Sequence, residues 1–260
     1  MGINRGWPRR RFIMGGFGAL AFAPALRPAA AIVRTLSSPA CVLTAEQDEG
    51  PYYLQRRLIR KQIAEGLPGV PLRLDLIVLD VRSCRPLRNA IVDIWHCDAL
   101  GRYSGYAYTR LSAPLSAWLL RHPGGYPEPG HPINRKTYLR GVQPTNADGC
   151  AEFSTIYPGC YAGRATHIHL KVRVAAPKPG ADRVVHTGQI FFPEEVTDAV
   201  QAMVPYAANT VTRTARSKDE IFRSQSGDRS VARVTGQASS LTGYVAGLEL
   251  GVDVEKRILR

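Results

Sequence analysis

No apolar run in this 260-residue chain is long enough to span a bilayer comfortably, so stable membrane insertion is not expected. Low-complexity tracts, internal repeats and any clear second-domain boundary are also absent, and a folded globular protein is expected. Cysteine is sparse. Cys41, Cys84, Cys97, Cys150 and Cys160 are five in number, and none has zinc-site spacing. An odd count leaves at least one thiol free or intermolecular. Acidic residues are outnumbered, 21 against 34 basic ones, for a formal charge of +13. That excess raises the question of nucleic acid. No basic stripe interleaved with aromatics is present, however, and the cluster Arg56, Arg57, Arg60 and Lys61 reads as the solvated face of a helix. No nucleic-acid partner is expected.

The first 31 residues lack acid altogether and hold five of the arginines, so the remainder carries +8. Arg9-Arg10-Arg11-Phe12 precedes the small and apolar run 15–25, and Ala29-Ala30-Ala31 follows as a candidate cleavage site. This is the layout of a signal segment. The arginine pair resembles a twin-arginine signal, although Pro8 stands where Ser or Thr is usual. That route implies the twin-arginine export machinery as a partner. It delivers folded protein to the periplasm or beyond, where disulfides are permitted.

Most of the rest reads as short strands separated by turns. Residues 72–81 (LRLDLIVLDV) alternate and then become continuously apolar. Residues 90–96, 137–142, 151–156, 166–174, 184–192, 230–234 and 241–252 are further strand candidates. Residues 54–65 place Leu54, Leu58, Ile59 and Ile63 roughly on one face, which predicts a helix, and 193–202 predicts another. The Pro- and Gly-rich stretch 111–135 reads as a surface insertion. The expected fold class is all-β, a β-sandwich of mixed topology with a helical N-terminal lead. The expected divisions are a signal segment (1–31), an arm and helix (32–71) and the sandwich domain (72–260).

The chemistry concentrates in 157–174. His167 and His169 lie two apart on a predicted strand, so their imidazoles share a face and can meet one metal ion. Tyr161 and Arg164 lie just upstream, after a Pro158-Gly159 turn. His-x-His alone is a weak signal. A cupin-like metal oxygenase would show it too, but would need a third histidine and usually a glutamate. A non-catalytic ligand-binding β-sandwich would be expected to have lost part of the set.

Several stretches together resemble the intradiol ring-cleavage dioxygenases, the protocatechuate and catechol dioxygenase family, and in particular its exported single-chain bacterial members. They are Leu43-Thr44 with residues 49–53 (EGPYY), 72–76 (LRLDL), 89–106 (NAIVDIWHCDALGRYSGY), 138–143 (YLRGVQ) and 156–172. The resemblance implies a non-haem Fe(3+) held by Tyr103, Tyr161, His167 and His169. Arg164 matches the family's active-site arginine, and Gln189 a glutamine on a following strand. The implied activity is cleavage of a catechol-type ring between its two hydroxylated carbons with O2, giving a cis,cis-muconate-type product. A homo-oligomer is left open. Two departures stand out. The gap from Tyr161 to His167 is shorter than in the two-subunit protocatechuate enzymes, and Cys160 stands where the exported group often has Trp, which bears on the pocket wall.

The donor types suit that ion. Two phenolates are hard oxygen donors and favour a trivalent metal. Tyrosine, with a solution pKa near 10, becomes a ligand at neutral pH only beside a high charge. A catechol giving up both protons would overload a site already neutral with two phenolates and hydroxide. Tyr161 is therefore expected to act as both ligand and base. Arg164 would stabilise the electron-rich ring or a developing anion, and Gln189 would orient an oxygen or water. His96 and Trp95 read as core residues. Tyr52 and Tyr53 read as a pocket wall, and His122 and His131 as surface loop residues.

Overall fold

The structure, a computed structural model, describes residues 42–106, 132, 134–176, 178 and 180–256. The signal segment, most of the 111–135 insertion, His122 and His131 lie outside them.

Among the described residues, nine strands form two sheets. β1 (Pro71–Asp80) lies between β9 (Tyr244–Val252), to which it is parallel, and the antiparallel strands β5 (Cys150–Ile156) and β2 (Arg85–Pro86). β8 (Arg233–Gly236) extends this sheet beyond β9. The second sheet is antiparallel, in the order β4 (Arg140–Pro144), β3 (Ile91–Trp95), β6 (His167–Ala175) and β7 (Asp182–Phe191). Two short helices, α1 (Glu194–Gln201) and α2 (Glu220–Ser224), follow β7. The all-β, mixed-topology expectation is met.

The period-two pattern explains the core. Leu72, Leu74, Leu76 and Val78 point from β1 into one cluster with Val92 and Ile94 of β3 and Ile168, Leu170 and Val172 of β6. Ala246, Leu248 and Leu250 of β9 join them. Burying each such aliphatic side chain contributes about 1.5–3 kcal/mol. The second sheet is buried on its other face as well. There His167, His169, Lys171 and Arg173 of β6 lie under the N-terminal arm, none more than one-tenth exposed.

That arm is where the sequence reading fails. Residues 54–65 form no helix. Their backbone is spent on the sheets: Val142 N donates to Leu58 O, Arg60 N to Val142 O, Ile63 N to Ser154 O and Ser154 N to Lys61 O. A peptide group bonded to a sheet edge cannot also serve an i→i−4 ladder. The apolar spacing was therefore not a helical face. Leu54 and Ile63 are buried, but Ile59 is 71% exposed. The basic cluster is no solvated helix face either. Arg57 pairs with Asp182 at 2.7 Å, Lys61 with Glu152 at 2.8 Å, and Arg60 with Glu65 at 2.6 Å. β4 begins at Arg140 rather than 137, because Leu139 sits at φ +57°, outside strand geometry. β2 falls inside a stretch that reads as a turn, and β8 starts three residues later than expected.

Candidate metal centre

β6 supplies two of the expected ligands directly. Alternation sends Ile168 to the core and His167 and His169 to the opposite face, where the arm covers them. Gly50 comes so close that a Cβ there would lie 3.1 Å from His169 Cε1, and its φ of +69° favours glycine. Trp95, the β3 register partner of His169, stacks on that imidazole with centroids 5.0 Å apart and planes 4° from parallel. Tyr53 packs on the indole in turn. It is held there by Arg173 and Asp93, whose own pair closes at 3.1 Å. Glu49 pairs with Lys171 beside it.

The two tyrosines arrive on loops that two glycines allow to touch. A Cβ on Gly101 would lie 2.3 Å from the Cys160 carbonyl oxygen, and one on Gly159 would lie 2.4 Å from that of Ala99. Asp98 shapes the first loop by accepting from Leu100 N and Arg102 N, both at 2.9 Å. Arg140 fixes its far end, donating to Ser104 Oγ and Ser104 O at 2.8 Å. Tyr103 is thereby buried next to Tyr161, with ring centroids 5.8 Å apart, and 6.2 Å from the His169 ring.

All four side chains converge. His167 Nδ1 lies 2.6 Å from the Ala165 carbonyl oxygen, which can only accept. The proton is therefore on Nδ1, and Nε2 presents its lone pair. Tyr161 Oη and His169 Nε2 each lie 3.0 Å from that nitrogen. Two donors at right angles on one ion, each about 2.1 Å from it, sit about 3 Å apart. The fully buried Tyr103 hydroxyl makes no well-formed hydrogen bond, although the Tyr161 phenol lies beside it, and neither does His169 Nδ1. A buried hydroxyl left poorly bonded costs up to about 1–3 kcal/mol, and a metal bond would remove that cost.

The titration behaviour agrees. Burial, then the charge of Arg164, holds His167 well below the usual histidine range; burial, then His167 and Arg164, does the same to His169. Both imidazoles are neutral, as ligation requires. Burial pushes Tyr161 up to about 12 against the opposing pull of Arg164, and pushes Tyr103 well above the ordinary range. Only a strong local positive charge would ionise these phenols. The donor set thus fits a hard, highly charged cation. Among the described residues no group of three or more His, Cys, Asp or Glu could hold a metal, so the donors that a cupin-like site needs are not assembled there.

Arg164 and Gln189 meet at the edge of the site. Arg164 Nη2 donates to Gln189 Oε1 at 2.5 Å, and Nε donates to Asp219 Oδ2 at 3.0 Å. Gln189 is the β7 register partner of His169. Its amide nitrogen donates to Asp48 O at 2.7 Å, and its backbone N–H donates to Gln47 Oε1 at 2.7 Å. Both ends of that side chain are engaged within the protein, so it orients Arg164. Sequence reasoning missed Asp219 and Gln47. The only local trace of Asp219 was its place as an N-cap of α2.

Other residues singled out in the sequence fall as follows. His96 is a satisfied core histidine, with Nδ1 at Cys97 O and Nε2 at Thr155 Oγ1. Trp95 is buried as expected, but against His169. Tyr52 is buried, stacked on Tyr103 at 4.4 Å and set edge-on to Tyr106. Cys160 is a buried free thiol whose Sγ neighbours are Gln201, Val211 and Asn209. Cys97 and Cys150 are free too, and Cys84 is disulfide-bonded.

The chain is similar to several known proteins. A family model described as "Dioxygenase" matches residues 48–221. An intradiol ring-cleavage dioxygenase of Tetranychus urticae is 31% identical, with a TM-score of 0.72, over 84% of this chain and 98% of its own. The dioxygenase domain of a dioxygenase–carbohydrate-binding fusion from Streptomyces sp. SirexAA-E is 26% identical, with a TM-score of 0.53, over 82% and 99%. The 3-chlorocatechol 1,2-dioxygenase of Rhodococcus opacus 1CP shares the fold at 15% identity, with a TM-score of 0.52, over 81% and 72%. No curated protein sequence matches.

Proposed function

Because this chain belongs to the intradiol ring-cleavage dioxygenases, we propose that it opens catechol-type rings with ferric iron held by Tyr103, Tyr161, His167 and His169. The observation that carries the assignment is the meeting of Tyr161 Oη and both Nε2 atoms at 3.0 Å steps, beside a Tyr103 hydroxyl that makes no well-formed hydrogen bond. Bound there, Fe(3+) would withdraw electron density from a chelated catecholate so that the ring can react with O2 directly.

The chain's own residues then have separate tasks. The Ala165 carbonyl keeps His167 in the tautomer that offers Nε2. Trp95 sets the plane of His169. Tyr161 takes up a proton as the catechol hydroxyls ionise, which keeps the charge of the centre balanced. Arg164 faces the anionic ring or the charge that develops on it, in a site that burial makes weakly screening. Tyr52 and the arm around Gly50 restrict the entry of water. The product is a cis,cis-muconate-type diacid.

We also infer export in folded form through the twin-arginine route, to the periplasm or outside the cell. The Arg9-Arg10 leader supports this, and the disulfide-bonded Cys84 suits an oxidising compartment.

The deciding experiment is iron loading followed by a panel of catechol, protocatechuate and hydroxyquinol. Loaded protein should show the broad visible band of tyrosinate-to-iron charge transfer. It should also consume O2 with a rise in muconate absorbance. Protein that binds iron but stays colourless would refute the two-tyrosinate centre.

A further inference from the structure

A carboxylate buried without partners is costly. Asp219 has no exposed surface and lies close to the end of the family match. Its oxygens are fully engaged. Oδ2 accepts from Arg164 Nε at 3.0 Å and from Ala165 N at 2.6 Å, while Oδ1 accepts from Phe222 N at 3.1 Å. One side chain therefore grips both the side chain and the following peptide of the loop that leads into β6, and anchors them to the start of α2.

The far end of α2 closes the circuit. Gln225 Oε1 accepts from Asp48 N at 2.8 Å, and Gln225 O accepts from Gln47 Nε2 at 3.2 Å. Gln47 and Asp48 in turn fix Gln189, which holds the other side of the Arg164 guanidinium. Arg164 is thus clamped at Nε and Nη2. Among the described residues Nη1 has no hydrogen-bond partner. An arginine side chain carries about 2 kcal/mol of rotamer entropy. Here the clamp has removed much of that freedom before any ligand arrives, and it leaves one edge of the planar fork for an anion.

We propose that Asp219 is a positioning residue for ring cleavage: its carboxylate holds the Arg164 guanidinium in the orientation that meets the anionic substrate. The proposal rests on the reading of Arg164 given above, and the test separates the two.

Asp219→Asn, Arg164→Gln and the double variant are prepared with iron, and kcat, KM and the visible band are recorded. In Asp219→Asn the band should persist while kcat falls about 10- to 100-fold, the scale of a small misplacement of a catalytic group. Arg164→Gln should lose at least as much, and the double variant no more than Arg164→Gln alone. In metal-free protein, the Arg164 Nε–H should be protected from hydrogen exchange, and Asp219→Asn should abolish that protection. A normal kcat in Asp219→Asn beside an impaired Arg164→Gln would overturn the role of Asp219 alone. So would losses that multiply in the double variant. A normal kcat in Arg164→Gln would overturn the reading of Arg164, and the positioning role with it. Should Asp219→Asn fail to fold, Asp219→Glu, which displaces the carboxylate by one methylene, decides: a reduced kcat with the band retained supports the role, and a normal kcat overturns it.

Discussion

The indole of Trp95 lies parallel to the imidazole of His169, 4° between planes and 5.0 Å between centroids. The stack exists because residues 95 and 169 are register partners on β3 and β6 and point to the same side of the sheet. A ligand imidazole whose ring plane is fixed by packing loses little freedom when it binds metal. Trp95→Leu should therefore weaken iron binding about 10- to 100-fold, the range seen when groups supporting metal ligands are lost. Competition against a calibrated chelator measures this, and an unchanged affinity would show the stack to be mere packing.

Tyr103→Phe should separate stability from function. It removes a buried hydroxyl that makes no well-formed hydrogen bond, only a weak contact with the Tyr161 phenol, so the metal-free protein should gain up to about 1–3 kcal/mol. The extra stability that iron confers on the wild type should shrink at the same time. Urea titrations with and without iron read both effects. A metal-free variant less stable than wild type would mean that the hydroxyl is satisfied in solution.

Tyr161→Phe tests the base. General-base groups contribute typically 10²- to 10⁴-fold, and a kcat loss in that range is expected. Iron should be retained through the three remaining ligands. Full turnover in this variant would contradict the proton-accepting role.

Gly50→Ala probes the arm over the site. The added methyl would strain a backbone at φ +69° and approach His169 Cε1 at 3.1 Å. A non-glycine residue in the left-handed region costs roughly 1–2 kcal/mol. The expected outcome is a modest loss of melting temperature with a larger loss of iron affinity. Loss of stability alone would place the arm's role in packing only.

Acid should destabilise the fold through histidines outside the metal site. Burial depresses His96 and His186 to about 4. Unfolded, both would take a proton near pH 6.5, so between about 6.5 and 4 the unfolded state binds more protons. Stability is then complete above about pH 6.5 and falls on acidification, by about 1.4 kcal/mol per pH unit for each histidine. His186→Gln should flatten the curve in that window. An unchanged slope in denaturant titrations from pH 4 to 7 would show that His186 is protonated in the fold.

The strands could be read from the chain because alternation is local, whereas the four candidate donors came together only through the family resemblance, Tyr103 lying far along the chain from His167. Alternation in 72–81 and 166–174 specifies which side chains share a face, and it placed Ile168 and Leu170 in the core and the histidines together. Phenol and imidazole carry their ligand chemistry wherever they sit. The arm shows the limit. Residues 54–65 have spacing compatible with a helix, but their peptide groups bond to β4 and β5, a choice that depends on edges distant in sequence.

Trp95 and Asp219 show the same division. An indole on a strand reads as core, and only the pairing of β3 with β6 puts it on His169, a candidate ligand. An aspartate before a short helix reads as a cap, and only the close approach of residues 164–165 makes its carboxylate the hold on Arg164. Local periodicity is a property of neighbouring residues along the chain, and donor chemistry a property of each side chain. Which faces meet, and which buried charge finds which partner, is set by burial and hydrogen-bond satisfaction summed over the whole fold.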